Sequence, residues 1–112
     1  MKNRLCSIIF VRYRFDGMVI LRCQFEVFGK VQKVFFRKYT EEKAKLLSIT
    51  GWCENTKDGT VHGEIEGEDS AIGLMRSWLC KEGSPQCSIT KCVFSEVEKA
   101  SHRKFDSFRI RR

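Results

Sequence analysis

Val19-Ile20-Leu21-Arg22-Cys23-Gln24-Phe25-Glu26-Val27-Phe28-Gly29-Lys30-Val31-Gln32-Lys33-Val34-Phe35-Phe36-Arg37 is the stretch that decides the fold. Val19, Leu21, Cys23, Phe25 and Val27 alternate with Ile20, Arg22, Gln24 and Glu26, which is the period of a half-buried strand. Gly29 is expected to end that strand. From Phe36 to Ser48 the period changes: Phe36, Thr40, Ala44 and Leu47 share one helical face, and Glu41 and Lys45 pair four residues apart on the other. Between them lies a short glycine-led loop. Such a loop running into a helix aims unpaired N–H groups at one point, and the helix terminus adds partial positive charge. An anion is the natural occupant, and Arg37 brings a permanent cation with a two-pronged donor geometry.

Reading outward, Gly51–Asn55 is a short strand and Asn55-Thr56-Lys57-Asp58-Gly59 has turn chemistry. Val61, Gly63 and Ile65 alternate with His62, Glu64 and Glu66 as the next strand. Asp69 or Ser70 is placed to cap a second helix whose apolar face is Ile72, Met75, Trp78 and Leu79, with Gly83 and Pro85 stopping it. Cys87–Val97 is strand-like with imperfect alternation, and Phe108 and Ile110, flanked by Arg109 and Arg111, predict a short final strand. Strand, helix, strand, strand, helix, strand is the split β-α-β order: an α+β fold with two helices on one face of an antiparallel sheet.

With 112 residues and 42% hydrophobic composition the chain has enough for one domain and one core. Residues 1–16 read as a basic N-terminal extension and residues 17–112 as the domain. Lys2, Arg4, Arg12 and Arg14, with no acid among the first fourteen residues, account for +4 of the net +7. The domain proper is thus mildly basic, which suits a small anionic ligand better than a long polyanion. A mitochondrial presequence has the same basic, acid-poor composition; a plain extension on a cytoplasmic protein is the reading preferred here. No apolar run approaches the roughly 20 residues that span a bilayer, so no membrane partner is expected. The six cysteines include no C-x-x-C pair, and His62 and His102 do not sit at zinc-ligand spacing. Free thiols in a reducing compartment, and no metal or other cofactor, are expected.

Asn55 falls at the end of the strand that follows the first helix, so it and Arg37 are expected at one edge of the sheet. A carboxamide donates and accepts without carrying charge, so it can orient a water toward phosphorus without repelling phosphate. Taken alone, Asn55 reads first as a turn-forming residue that tolerates left-handed geometry.

Together the two segments carry more. Gly29-x-Val31-Gln32-x-Val34-x-Phe36-Arg37 and Gly51-Trp52-Cys53-x-Asn55-x-x-x-Gly59-x-Val61-x-x-x-x-x-Gly67 resemble the two signatures of the acylphosphatase family. The resemblance runs from about Leu21 to Phe108-Arg109-Ile110-Arg111. It implies a ferredoxin-like sandwich and hydrolysis of carboxyl-phosphate anhydrides, with acyl phosphates such as 1,3-bisphosphoglycerate or carbamoyl phosphate as the small-molecule substrate class. Carried over, Arg37 matches the family's phosphate-binding arginine and Asn55 its water-orienting asparagine. The loop Gly29, Lys30, Val31, Gln32, Lys33 and Val34 would cradle phosphate through main-chain N–H groups, and Thr56 would steady the Asn55 amide. Lys33 departs from the pattern by replacing a second loop glycine, and Glu54 stands where a basic or neutral residue is usual.

The expectation is therefore a monomeric, metal-independent acylphosphatase. The alternative is a phosphate- or acyl-phosphate-binding regulatory module, catalytically weak because Lys33 replaces the glycine. RNA-recognition modules share a similar element order, but Arg22, Gln24, Glu64 and Glu66, expected on the open sheet face, form no aromatic stacking platform. No nucleic-acid partner is expected.

Overall fold

Alternation on β1 (Ile20–Lys30) buries Cys23, Phe25 and Val27 on one face of the sheet. A computed structural model describes residues 19–112, so the extension predicted over residues 1–16 lies outside the described residues. After β1 come α1 (Phe36–Leu46), β2 (Thr50–Asn55), β3 (Val61–Gly67), α2 (Asp69–Lys81), β4 (Ser88–Phe94), β5 (Glu98–Ala100) and β6 (Phe108–Arg111). The sheet order is β4-β1-β3-β2-β6, with the short β5 beside the start of β1. α1 packs on β2 and β6, and α2 on β1, β3 and β4.

Register places Cys23 opposite Ile65, Phe25 opposite Gly63 and Val27 opposite Val61, all on the helix-covered face. Phe25 fits because position 63 has no side chain: a Cβ there would lie 2.6 Å from the Phe25 ring. Burying such an aromatic contributes about 1.5–3 kcal/mol. The predicted helical faces are buried as well: Phe36, Thr40 and Ala44 on α1, and Ile72, Met75, Trp78 and Leu79 on α2. The Phe36 and Trp78 rings meet at 5.7 Å and join the two helices.

Several expectations need correction. β1 does not stop at Gly29; a bulge between Phe28 and Gly29 carries it on to Lys30. Gly29 has φ +122, and a Cβ on it would lie 2.1 Å from the Ser88 carbonyl oxygen, so glycine here lets β4 pass at close range. The sheet is not antiparallel throughout, because β2 and β6 run parallel, Trp52 beside Arg109 and Cys53 beside Ile110. Neither Asp69 nor Ser70 caps α2: Glu68 is the N-cap and makes no side-chain cap bond, while Asp69 supplies first-turn negative charge. The strand-like stretch Cys87–Val97 holds one strand, β4, and the short β5 follows beyond it.

Glu64 and Glu66 are not exposed. Glu66 is wholly buried, because the chain between β5 and β6 doubles back over the sheet. Its carboxylate accepts bonds from the backbone N–H of Lys104 (2.9 Å) and Phe105 (2.8 Å), the Thr50 hydroxyl (2.7 Å) and Arg22 Nε (3.1 Å). Alternation alone marked this face as solvent-facing, and only a segment distant in sequence covers it.

Candidate active site

The loop between β1 and α1 is held open by its backbone. Lys33 (φ 63) and Phe35 (φ 59) both take left-handed conformations, the kind of dihedral pattern that turns successive N–H groups toward one concavity. Tyr39 N–H makes the first helical bond, to Phe35 O at 3.0 Å, while the N–H groups of Gln32 to Lys38 find no acceptor among the described residues. α1 has no acidic residue in its first turn. Its positive end is therefore uncompensated by the helix itself.

Beside this loop lies a cavity of about 430 Å³ lined by Val31, Lys33, Phe35, Phe36, Arg37, Lys38, Asn55, Ile110 and Arg112. Arg37 and Asn55 thus share one concavity, although a helix and most of a strand separate them in sequence. Arg37 donates to Arg111 O at 3.4 Å, a long bond, and has no carboxylate partner among the described residues. Asn55 is more informative. Its Oδ1 is buried and has no hydrogen-bond partner. A buried acceptor left bare costs about 1–3 kcal/mol, which is unusual for a residue that lines a cavity.

The hairpin that carries Asn55 is tied to the loop. Gln32 Nε2 donates to Thr56 O and Thr60 O, both at 2.9 Å. Thr56 and Thr60 hydroxyls meet at 2.6 Å, and Thr60 Oγ1 donates to Glu26 Oε2 at 2.6 Å. Thr56 therefore braces the hairpin through Thr60 and makes no bond to the Asn55 amide. Behind the site, burial pushes the Cys53 thiol up to about 12, although Arg37 pulls it down. A neutral thiol adds no anion to the surroundings of Arg37.

Of the predicted loop, Val31 and Lys33 line the cavity, Val34 is buried in the core, Gln32 reaches the hairpin, and Gly29 and Lys30 close β1. Sequence reasoning assigned none of Phe35, Phe36, Lys38, Ile110 and Arg112 to the site, although Phe36 stands in the first signature and Ile110 in the expected final strand. The first three adjoin Arg37 and were within reach of the motif, whereas Ile110 and Arg112 arrive by the parallel pairing of β6, which leaves no local signal. Among the described residues no group of three or more His, Cys, Asp or Glu side chains is placed to hold a metal ion. Nor is any helix there long and apolar enough to cross a membrane.

The family model for acylphosphatases matches residues 23–110. This chain belongs to the acylphosphatase family. It is 41% identical over 95 residues to Acylphosphatase-2 of Bos taurus, covering 85% of this chain and 96% of that one. It is 38% identical to Acylphosphatase-1 of Mus musculus, with the same coverage of each chain. Among solved structures, an acylphosphatase from Coxiella burnetii superposes with a TM-score of 0.72 at 34% identity, covering 82% of this chain and 93% of its own. The acylphosphatase from Bacillus subtilis gives 0.71 at 28% identity, covering 82% and 99%. The ferredoxin-like fold and the enzyme class expected from the two signatures are those of these relatives.

Proposed function

We propose that this member of the acylphosphatase family hydrolyses acyl phosphates to a carboxylate and phosphate, without a metal. The phosphoryl oxygens take the guanidinium of Arg37 and the free N–H groups at the start of α1. The Asn55 carboxamide hydrogen-bonds a water and aims its oxygen at phosphorus. As the water oxygen bonds to phosphorus, the bond to the acyl oxygen breaks, and the carboxylate leaves with the electron pair. A carboxylate is a good leaving group and needs no protonation, so positioning and charge stabilisation of a loose, metaphosphate-like transition state carry the rate. The water's proton passes to an oxygen of the phosphate itself.

The observation that supports this reading most is that Asn55, whose buried Oδ1 has no hydrogen-bond partner, lines the same cavity as Arg37. Metal independence is supported by the lining, whose side chains include cations and a carboxamide but no carboxylate, imidazole or thiol. In this reading the enzyme acts as a monomer. The free thiols of Cys23, Cys53, Cys80, Cys87 and Cys92 fit a reducing compartment such as the cytoplasm. No nucleic-acid partner is part of this reading.

Benzoyl phosphate hydrolysis by the full-length chain, measured with and without a chelator, tests it. Turnover unchanged by chelation is expected. Loss of turnover on chelation overturns the metal-free reading, and inorganic phosphate binding without any turnover marks a binding module instead.

A further inference from the structure

Four cationic side chains line the cavity, Lys33, Arg37, Lys38 and Arg112, and no acidic side chain does. The reading above uses one of them. Lys38 is held by Glu42 at 3.7 Å. Lys33 and Arg112 have no ion-pair partner among the described residues. A single phosphate is already matched by one guanidinium and the N–H groups of a helix start. Two further unpaired cations on the same cavity repel one another and Arg37, and a second anion would relieve that repulsion. The volume also exceeds the space one phosphate fills.

Lys33 has a cost as well. Its backbone is left-handed (φ 63), a conformation glycine takes freely and a lysine adopts at about 1 kcal/mol or more. Backbone strain held at a site's rim points to use of the side chain that bears it.

We propose that Lys33 and Arg112 are specificity-determining residues that bind a second anionic group, carboxylate or phosphate, on the acyl part of the substrate. The inference rests on the acyl-phosphate reading and narrows it: the transferred phosphoryl group sits with Arg37 and Asn55, and the acyl tail reaches the two unpaired cations.

The test compares benzoyl phosphate with 4-carboxybenzoyl phosphate, which differ by one carboxylate remote from the reacting bond. The kcat/KM ratio of the pair is measured for the full-length chain, Lys33→Gln, Arg112→Gln and the double variant, so intrinsic reactivity cancels between variants. Lys33 and Arg112 are exposed, and two exposed charge pairs together support a preference of up to about tenfold for the carboxylated substrate at low salt. That ratio is expected to shrink with added salt, fall in each single variant and collapse in the double variant. If both substrates fall by the same factor in the variants, Lys33 and Arg112 serve the transferred phosphate or the fold, and the inference fails. If the unmodified chain hydrolyses both without preference, the inference fails and the acyl-phosphate reading stands. If it hydrolyses neither, both fall.

Discussion

Gln32 donates its side-chain amide to the carbonyl oxygen of Thr60 at 2.9 Å, and the same nitrogen reaches Thr56 O at 2.9 Å. One side chain therefore bolts the loop before α1 to the hairpin that presents Asn55. The distance between the anion cradle and the water-holding amide depends on this bridge as much as on the sheet. Gln32→Leu keeps the bulk and removes both bonds. Expected outcomes are a stability loss of about 1–2 kcal/mol, read by urea denaturation, and a fall in kcat of roughly tenfold. Inorganic phosphate should inhibit nearly as well as before, since Arg37 and the N–H groups remain. An unchanged kcat would show that the bridge does not position the site.

Asn55→Ala separates function from stability. Turnover is expected to fall by about a hundredfold or more, the scale seen when a single group that orients reacting atoms is lost. Binding of inorganic phosphate, measured by calorimetry, should persist. Because the substitution also removes a buried acceptor with no partner, stability should hold or rise by about 1 kcal/mol. A variant that is both inactive and markedly unstable would mean that the amide is structural.

Arg37→Lys keeps the charge and loses the fork. A lysine ammonium is a compact point charge that cannot engage two phosphoryl oxygens in one plane. Phosphate affinity and turnover are both expected to drop by about tenfold or more, and Arg37→Gln should be worse. Equal phosphate affinity in the unmodified chain and Arg37→Lys, by competitive inhibition, would show that the fork geometry is not used.

Glu66 predicts an acid limit on stability unrelated to the chemistry. Burial alone would push its carboxyl up, but the bonds from Lys104 N–H, Thr50, Phe105 N–H and Arg22 outweigh it and hold it below its ordinary value of 4.5. A carboxyl lowered in the folded state binds fewer protons there than in the unfolded chain. Its stabilisation is therefore complete above about pH 4.5 and is lost as pH falls through the folded value. Urea midpoints should be level near neutrality and decline below pH 4.5. In Glu66→Gln the chain is expected to be less stable at neutral pH by about 2–3 kcal/mol, with a shallower acid decline. An acid decline as steep in Glu66→Gln as in the unmodified chain would remove Glu66 as its cause.

Much of the architecture was legible because it rests on periodicity. Period-two burial on β1, the 3.6-period faces of α1 and α2, and the turn residues around Gly59 are local signals that packing reinforces. What failed was context. Glu66 looked solvent-facing by alternation, yet it is buried under Lys104 and Phe105, a contact across 38 and 39 residues. The parallel approach of β6 to β2 was equally hidden, because no turn connects the two strands. At the site, Arg37 and Asn55 were legible through the two signatures, while Gln32 was read only for its backbone N–H and not for its bridging amide.

The amino-acid sequence alone determined the order of elements and the glycine-led loop opening into a helix, since each depends on neighbours a few residues away, and its two signatures named the arginine and the asparagine. Only the tertiary structure decided that the Asn55 acceptor stays bare, that Arg112 and Ile110 share its cavity, and that Lys33 holds a strained backbone above it. Those outcomes depend on which distant segments arrive and which polar groups they leave unpaired. Hydrogen-bond satisfaction and excess charge are properties of the assembled surface, and no local pattern encodes them.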